Sequence, residues 1–222
     1  NLLYTVYRNC VSYLITNDKG ILKKSEKLGL SDKVLTISKA LSLLSNKYDS
    51  ILLKTPAIIK KEYLYNIDNE DSFFDSLRQD YKGFNDWLTK KKLKHEIARV
   101  TYKDNGKLGA FLMLKTEDEK EDYSSFDTPF QKGKRVKIST FKVEDNGKSI
   151  GEAFIKIAID YAIRKNIYEV YVTIFDKQDR LINLFKEYGF DLYTYKETQK
   201  QDGTFEKEGV YLKRMYFDKT NY

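Results

Sequence analysis

One passage constrains this chain more than any other: VEDNGKSIGEAFIKIAIDYA, residues 143–162. It begins as the tail of RVKISTFKV (135–143), whose β-branched and apolar residues read as a strand. Ile150, Phe154, Ile157, Ala158, Tyr161 and Ala162 then recur at the spacing of a helix with one buried face. Between them lies an Asn146-Gly147 turn, and Ser149 with Glu152 three residues on has the form of a capping box. A second apolar strand, YEVYVTIFD at 168–176, comes straight after the helix. A chain that alternates strand, helix and strand this tightly builds a sheet with helices on its faces.

The rest of the chain after Pro56 fits that plan. A strand is expected at 57–67 and a helical stretch at 68–92, broken near Gly83. Phe73, Phe74, Leu77 and Tyr81 make an apolar stripe there at helical spacing. A hairpin follows around Asn105-Gly106. After the second apolar strand comes a helix, 179–190, with Leu181, Leu184, Phe185 and Tyr188 on one face and Gly189 at its end. Two closing strands, 191–197 and 208–217, are expected to be antiparallel. The order is β-α-β-β-β-α-β-α-β-β, an α/β arrangement of the α+β kind with a mixed, mostly antiparallel sheet flanked by helices.

Residues 1–55 read as a separate short βαβα segment. A buried strand is expected at 12–16, a helix at 21–30 stopped by Gly29, a strand at 33–37 and a helix at 38–48. Two strands do not make a stable parallel sheet alone. The segment is therefore expected to pack on something else, or to be the remnant of a larger domain.

Composition narrows the classes of function. Of 222 residues, 41% are hydrophobic and 33% charged, which excludes a disordered tail. No apolar run is long enough to span a bilayer, and no secretory signal pattern is visible. Cys10 is the single cysteine, so an internal disulfide is excluded and a reducing cytosol is expected. Cys10 and His95 alone make a poor zinc set. The net charge of +7 suits an acidic partner, either nucleic acid or a polyphosphate cofactor. The competing reading is a solvated surface, because lysines alternate with acids, with basic runs at 90–94 and 132–137.

The turn at 146–151 has a chemistry of its own. A strand running into a helix presents free backbone N–H groups and the positive end of the helix dipole. Gly147 and Gly151 remove side chains that would block approach, and Lys148 adds charge. Such a site suits a pyrophosphate, while the turn and capping box also explain the same residues without a ligand.

The order of elements, this turn and the stretch LFKEYGF (184–190) together resemble the GNAT family of acetyl-CoA-dependent N-acetyltransferases, over residues 57–218. The resemblance implies acetyl-CoA as cofactor, an amine as acceptor, and direct attack of that amine on the thioester. It implies that the backbone of Asn146, Gly147, Lys148, Ser149, Ile150 and Gly151 holds the pyrophosphate. Asn146 departs from the family's Arg or Gln, and Ser149 from its first glycine. It further implies that residues 138–141, among them Ile138, Thr140 and Phe141, splay from the next strand and bind the pantetheine arm through their backbone. Phe185 stands where the family has a proton-donating Tyr. Tyr188 is then the candidate acid and Asp176, at the end of the second apolar strand, the candidate base. Glu117 to Asp122 form an acidic run that would draw a cationic amine or simply be solvated. A homodimer is common in the family.

Residues 13–37 resemble the end of a PIN domain, a metal-dependent nuclease fold. That resemblance implies a PIN–GNAT fusion, residues 1–55 being the PIN-like remnant and 56–222 the acyltransferase domain. Asp18 would be one of several carboxylates around a divalent metal; alone, it reads as a turn or helix-cap residue. The rivals to an acetyltransferase are a catalytically weak GNAT-fold module that binds nucleic acid or a protein partner, and a nuclease or toxin-type role through a complete PIN domain.

Overall fold

The computed structural model describes residues 2–8, 10–48, 58–144 and 149–215. The chain divides into two compact units, Asn1–Thr55 and Pro56–Tyr222.

The first unit contains α1 (Leu2–Tyr7), β1 (Leu14–Ile15), α2 (Lys19–Lys27), β2 (Val34–Leu35) and α3 (Ile37–Tyr48). The sequence reading missed α1, whose Leu3 and Val6 are buried beside Leu30 and Val34. The strand expected to be buried at 12–16 shrinks to two residues, with Ile15 49% exposed. A two-stranded parallel pair has too little surface to enclose both of its faces. Gly29 takes φ +67° just past α2, the left-handed stop that only glycine adopts without strain. Asp18 caps the same helix, its Oδ1 accepting from Ile21 N–H at 2.9 Å.

The second unit is built on β3 (Lys60–Tyr63), β4 (Ile97–Tyr102), β5 (Leu108–Glu117), β6 (Arg135–Val143), β7 (Glu169–Phe175), β8 (Asp191–Gln199) and β9 (Phe205–Arg214). Two 3-10 turns, Leu64–Asn66 and Ser72–Phe74, lead into α4 (Asp75–Asp80) and α5 (Phe84–Leu93). Helix α6 (Ile150–Arg164) links β6 to β7, and α7 (Asp179–Glu187) follows β7. The sheet order is β3-β4-β5-β6-β7-β9-β8, antiparallel throughout except for β6 with β7. This is a mixed α+β fold with a mostly antiparallel sheet flanked by helices.

Side-chain alternation along the strands separates two faces. Ala110 and Leu112 of β5 turn to the face where Phe154, Ile155 and Ala158 of α6 pack with Phe185 of α7. Phe111 and Met113 turn to the other face, under Phe73, Phe74, Phe84 and Leu88. Tyr81 and Leu77 pack beside that second core, so the apolar stripe serves it as expected. On α6, Ile155 is buried, while Ile157 and Tyr161 only flank the core. The hairpin turns at Gly106, φ +79°, with Lys103 N–H donating to Lys107 O at 2.8 Å.

Candidate active site

Strands β6 and β7 begin as partners and then separate. The ladder runs Val136↔Val170, Lys137↔Tyr171 and Ile138↔Val172, and stops there. Both strands continue, β6 to Val143 and β7 to Phe175. Beyond the break, β6 stays with β5 and β7 stays with β9. The inner edges of both strands are thus left without a strand partner, which buried peptide groups do not tolerate unless something else bonds them. A bulge lies at the same place. Thr140 faces Met113 and Ile138 faces Leu114, so Ser139 is the extra residue on β6. Bulges bend the strand and increase local twist, as this parting requires.

The parting opens into a cleft of about 1150 Å³. Its walls come from β6, β7, the N-terminal ends of α6 and α7, and the α4–α5 segment. Ile138, Thr140, Phe141, Ser149, Ile150 and Gly151 all line it, so these sequence-predicted residues meet in one place. Asn146, Gly147 and Lys148 lie outside the described residues. Among the described lining, basic side chains such as Lys82, Lys177 and Arg180 outnumber the acidic Asp80, Glu152 and Asp179.

At the head of α6 the local structure differs from a capping box. Ser149 takes φ +48°, a left-handed conformation, and its side chain makes no cap bond. A hydroxyl on a residue in that conformation is turned away from the amides it would cap. The first helical bond is Ala153 N–H to Ser149 O, at 3.1 Å. The amides of Ile150, Gly151 and Glu152 precede that bond and have no intrahelical partner. Gly151 also has a packing role: a Cβ there would meet Leu184 Cδ2 at 2.8 Å. Glycine lets α6 and α7 approach closely beside the cleft.

The candidate acid and base sit elsewhere. Neither Tyr188 nor Asp176 is among the residues lining the cleft. The Tyr188 hydroxyl donates to Glu152 Oε2 at 3.3 Å, and its backbone O accepts from Lys213 Nζ. Asp176 is exposed past the end of β7. Phe185 is fully buried, edge-on to Phe141 and Phe190.

The cleft floor on the α4–α5 side is polar, and the sequence reading missed it. Glu208 of β9 is fully buried. Its Oε1 accepts from Tyr81 OH at 2.7 Å and Thr173 Oγ1 at 3.2 Å. Its Oε2 accepts from Thr198 Oγ1 at 2.6 Å and Lys196 Nζ at 2.8 Å. Burial opposes its charge, but Lys196 and the hydroxyl donors outweigh burial and hold the carboxyl below its usual range. Burial, then Glu208, push Tyr81 well above the usual phenol value, so its proton stays on. Tyr81, Thr173 and Lys196 all line the cleft. Glu117, read as the start of an acidic loop, is instead the last residue of β5. It is buried and accepts from Tyr123 OH and Tyr171 OH at 2.9 and 2.7 Å. Glu121 is tied to Lys115 at 2.6 Å. Tyr81 read only as part of an apolar stripe, and Glu208 only as the first residue of a closing strand; nothing in the local pattern Lys207-Glu208-Gly209 announces a buried carboxylate.

Comparison with known proteins agrees with this geometry. Residues 61–190 match the model of the acetyltransferase (GNAT) family. Among solved structures, Arabidopsis thaliana NAA60 with acetyl-CoA superposes with a TM-score of 0.55 at 14% identity, covering 71% of this chain and 99% of that one. A phosphinothricin acetyltransferase from Sinorhizobium meliloti with AcCoA gives 0.54 at 13% identity, covering 72% and 89%. An N-acetyltransferase from Staphylococcus aureus Mu50 gives 0.51 at 17% identity, covering 72% and 99%. No curated protein matches in sequence. The chain belongs to the GNAT family of acetyltransferases.

Proposed function

We propose that this chain is an acetyl-CoA-dependent N-acetyltransferase in which an amine attacks the thioester directly. The observation that carries the reading is the parted β6–β7 pair, opening a cleft beside the uncapped head of α6. A phosphopantetheine arm has the shape and the hydrogen-bonding pattern of an extended strand, and the unpartnered edge beyond Ile138 offers it a matching one. The amides of Ile150, Gly151 and Glu152 would take the pyrophosphate, with the helix dipole adding positive charge. Acetyl-CoA supplies the activated acyl group. The chain's own residues then have three tasks: hold the donor, admit a neutral amine, and manage the protons.

The proton question separates this chain from the usual family pattern. Phe185 has no proton to give and is enclosed by aromatic rings. Among the described residues, Tyr81 is the tyrosine that lines the cleft. It keeps its proton at neutral pH and donates it to Glu208 Oε1; turned from that carboxylate toward the cleft, the hydroxyl would return a proton to the departing thiolate. Tyr188 and Asp176 keep a role only through groups between them and the cleft.

Calorimetric titration of acetyl-CoA into the chain tests the reading. Saturable binding is expected, with a rise in thermal midpoint. Gly151→Glu confounds the test by pushing on Leu184, so Ser149→Asp is the better variant. Asp tolerates the left-handed conformation and brings a negative charge against the pyrophosphate. Loss of binding in that variant, with its fold retained, supports the site. Absence of binding in the wild type sinks the proposal. Tyr81→Phe is expected to lower kcat while leaving acetyl-CoA affinity unchanged.

A further inference from the structure

Lys137 stands where β6 and β7 part, one residue before the last paired position. Its neighbours Val136 and Ile138 pack under α6, so by alternation Lys137 rises on the opposite face, toward the α4–α5 side of the cleft, which it lines. Across the ladders it sits between Lys115 and Tyr171.

The other lysines near it have partners. Lys115 pairs with Glu117 at 3.2 Å and Glu121 at 2.6 Å. Lys196 pairs with Glu208 at 2.8 Å. Lys142 and Lys177 pair with Glu144 and Asp80. Lys137 has no carboxylate in ion-pair range among the described residues; its ammonium sees the Tyr171 ring at 5.8 Å. Lys137 is half-buried, and it lines the cleft. Burial, and then the charge on Lys196, hold it below the usual lysine value. An ammonium partly withdrawn from water without a counter-ion is costly, and such groups are normally paired. An anion bound in the cleft would pair it.

We propose that Lys137 receives an anionic group of the acceptor, so that the acceptor is a small amine carrying a carboxylate or phosphate, not a polycation. This rests on the N-acetyltransferase reading. That reading puts the donor's pyrophosphate at the head of α6, beside the opposite face of the sheet, and leaves Lys137 to the acceptor. In the acidic run at 117–122, Glu117 is buried and Glu121 is held by Lys115; Asp118, Glu119 and Asp122 are exposed, and no residue of the run lines the cleft.

The test compares matched amines in a thiol-release assay. Methionine is set against methioninamide, and phosphoethanolamine against ethanolamine, with spermidine as the polycation. The anionic member of at least one pair is expected to be favoured about tenfold or more in kcat/KM, and the pair that responds separates carboxylate from phosphate. Lys137→Met should abolish that preference, Lys137→Arg should retain it, and both should bind acetyl-CoA as the wild type does. Lys137→Gln serves if the Met variant fails to fold. A preference for spermidine, no turnover of either anionic member, or a preference that survives removal of the ammonium overturns the inference. So does weakened acetyl-CoA binding in Lys137→Met, which would assign the lysine to the donor. If the wild type binds no acetyl-CoA at all, the N-acetyltransferase reading has failed and the inference falls with it. Failure of the inference alone leaves acetyl-CoA binding intact.

Discussion

The two faces of the central sheet solve different problems. Under α6 and α7 the face is hydrocarbon and aromatic: Phe154, Phe185 and Phe190 are fully buried against Ala110, Val136 and Val170. The opposite face interrupts its apolar packing with buried charge. Glu117 and Glu208 are enclosed, the first held by two tyrosines and a lysine, the second by one tyrosine, two threonines and a lysine. An apolar face tolerates exchange of one hydrocarbon for another of similar size. A buried carboxylate does not, because each donor aimed at it loses its partner when it goes. Stability is thus shared by both faces, while the buried carboxylates belong to the polar one.

Breaking each face at its centre should produce the largest effects. Phe154→Ala is expected to cost about 3–5 kcal/mol, as a cavity in a packed core does. Glu208→Ala should cost a similar ~3–5 kcal/mol, through the unpaired Lys196 and the orphaned hydroxyls. Denaturant midpoints will compare them. A Leu replacement should recover much of the loss at position 154 and little at 208. Gly151→Ala comes next, at about 1–3 kcal/mol, for the overpacking against Leu184. Leu184→Ala should offset part of that cost in a double-mutant cycle, and strict additivity would show that the two do not touch. Phe185→Tyr should destabilise by roughly 1–3 kcal/mol, because it puts a hydroxyl among rings. It should leave the rate unimproved; a higher kcat would mean that position 185 still reaches the reacting atoms. The smallest effect is Thr198→Ala, about 1 kcal/mol for one of four donors to Glu208.

Acid sharpens the same contrast. The Glu208 carboxyl is held below the ordinary glutamate value of 4.5. Its contribution is therefore present above that value and is lost as the pH falls through the lower, folded one. Glu208→Gln should flatten that part of the stability curve, and Phe154→Leu should leave its shape unchanged. Equal flattening in both would remove Glu208 as the cause.

Residues whose roles depend on local pattern were legible in the sequence. The period of Ile150, Phe154 and Ala158 marked α6 and its inner face, and Gly29, Gly106 and Gly189 marked turns where φ is positive. Strand β6 appeared at 135–143 as expected. The parting of β6 from β7 and the meeting of Ile138, Thr140 and Phe141 with the head of α6 followed the family resemblance, not the residues themselves. Ser149 and Glu152 looked like a capping box, but the backbone angle at Ser149 rules it out. Tyr188 and Asp176 do not line the cleft themselves, although the Tyr188 hydroxyl reaches Glu152, which does.

The amino-acid sequence by itself determined the order of elements after Pro56, the boundary near that proline and the apolar face of the sheet. Each follows from periodicity or turn chemistry within a dozen or so neighbours. Only the tertiary structure decided the polar floor. Tyr81 and Glu208 lie 127 residues apart, yet share a hydrogen bond. Lys137 sits in a basic run that reads as surface until the sheet half-buries it beside the cleft. Charge and hydroxyl groups carry no period that announces a partner. Their roles depend on which distant strand comes to lie beside them and on how much water the packing leaves.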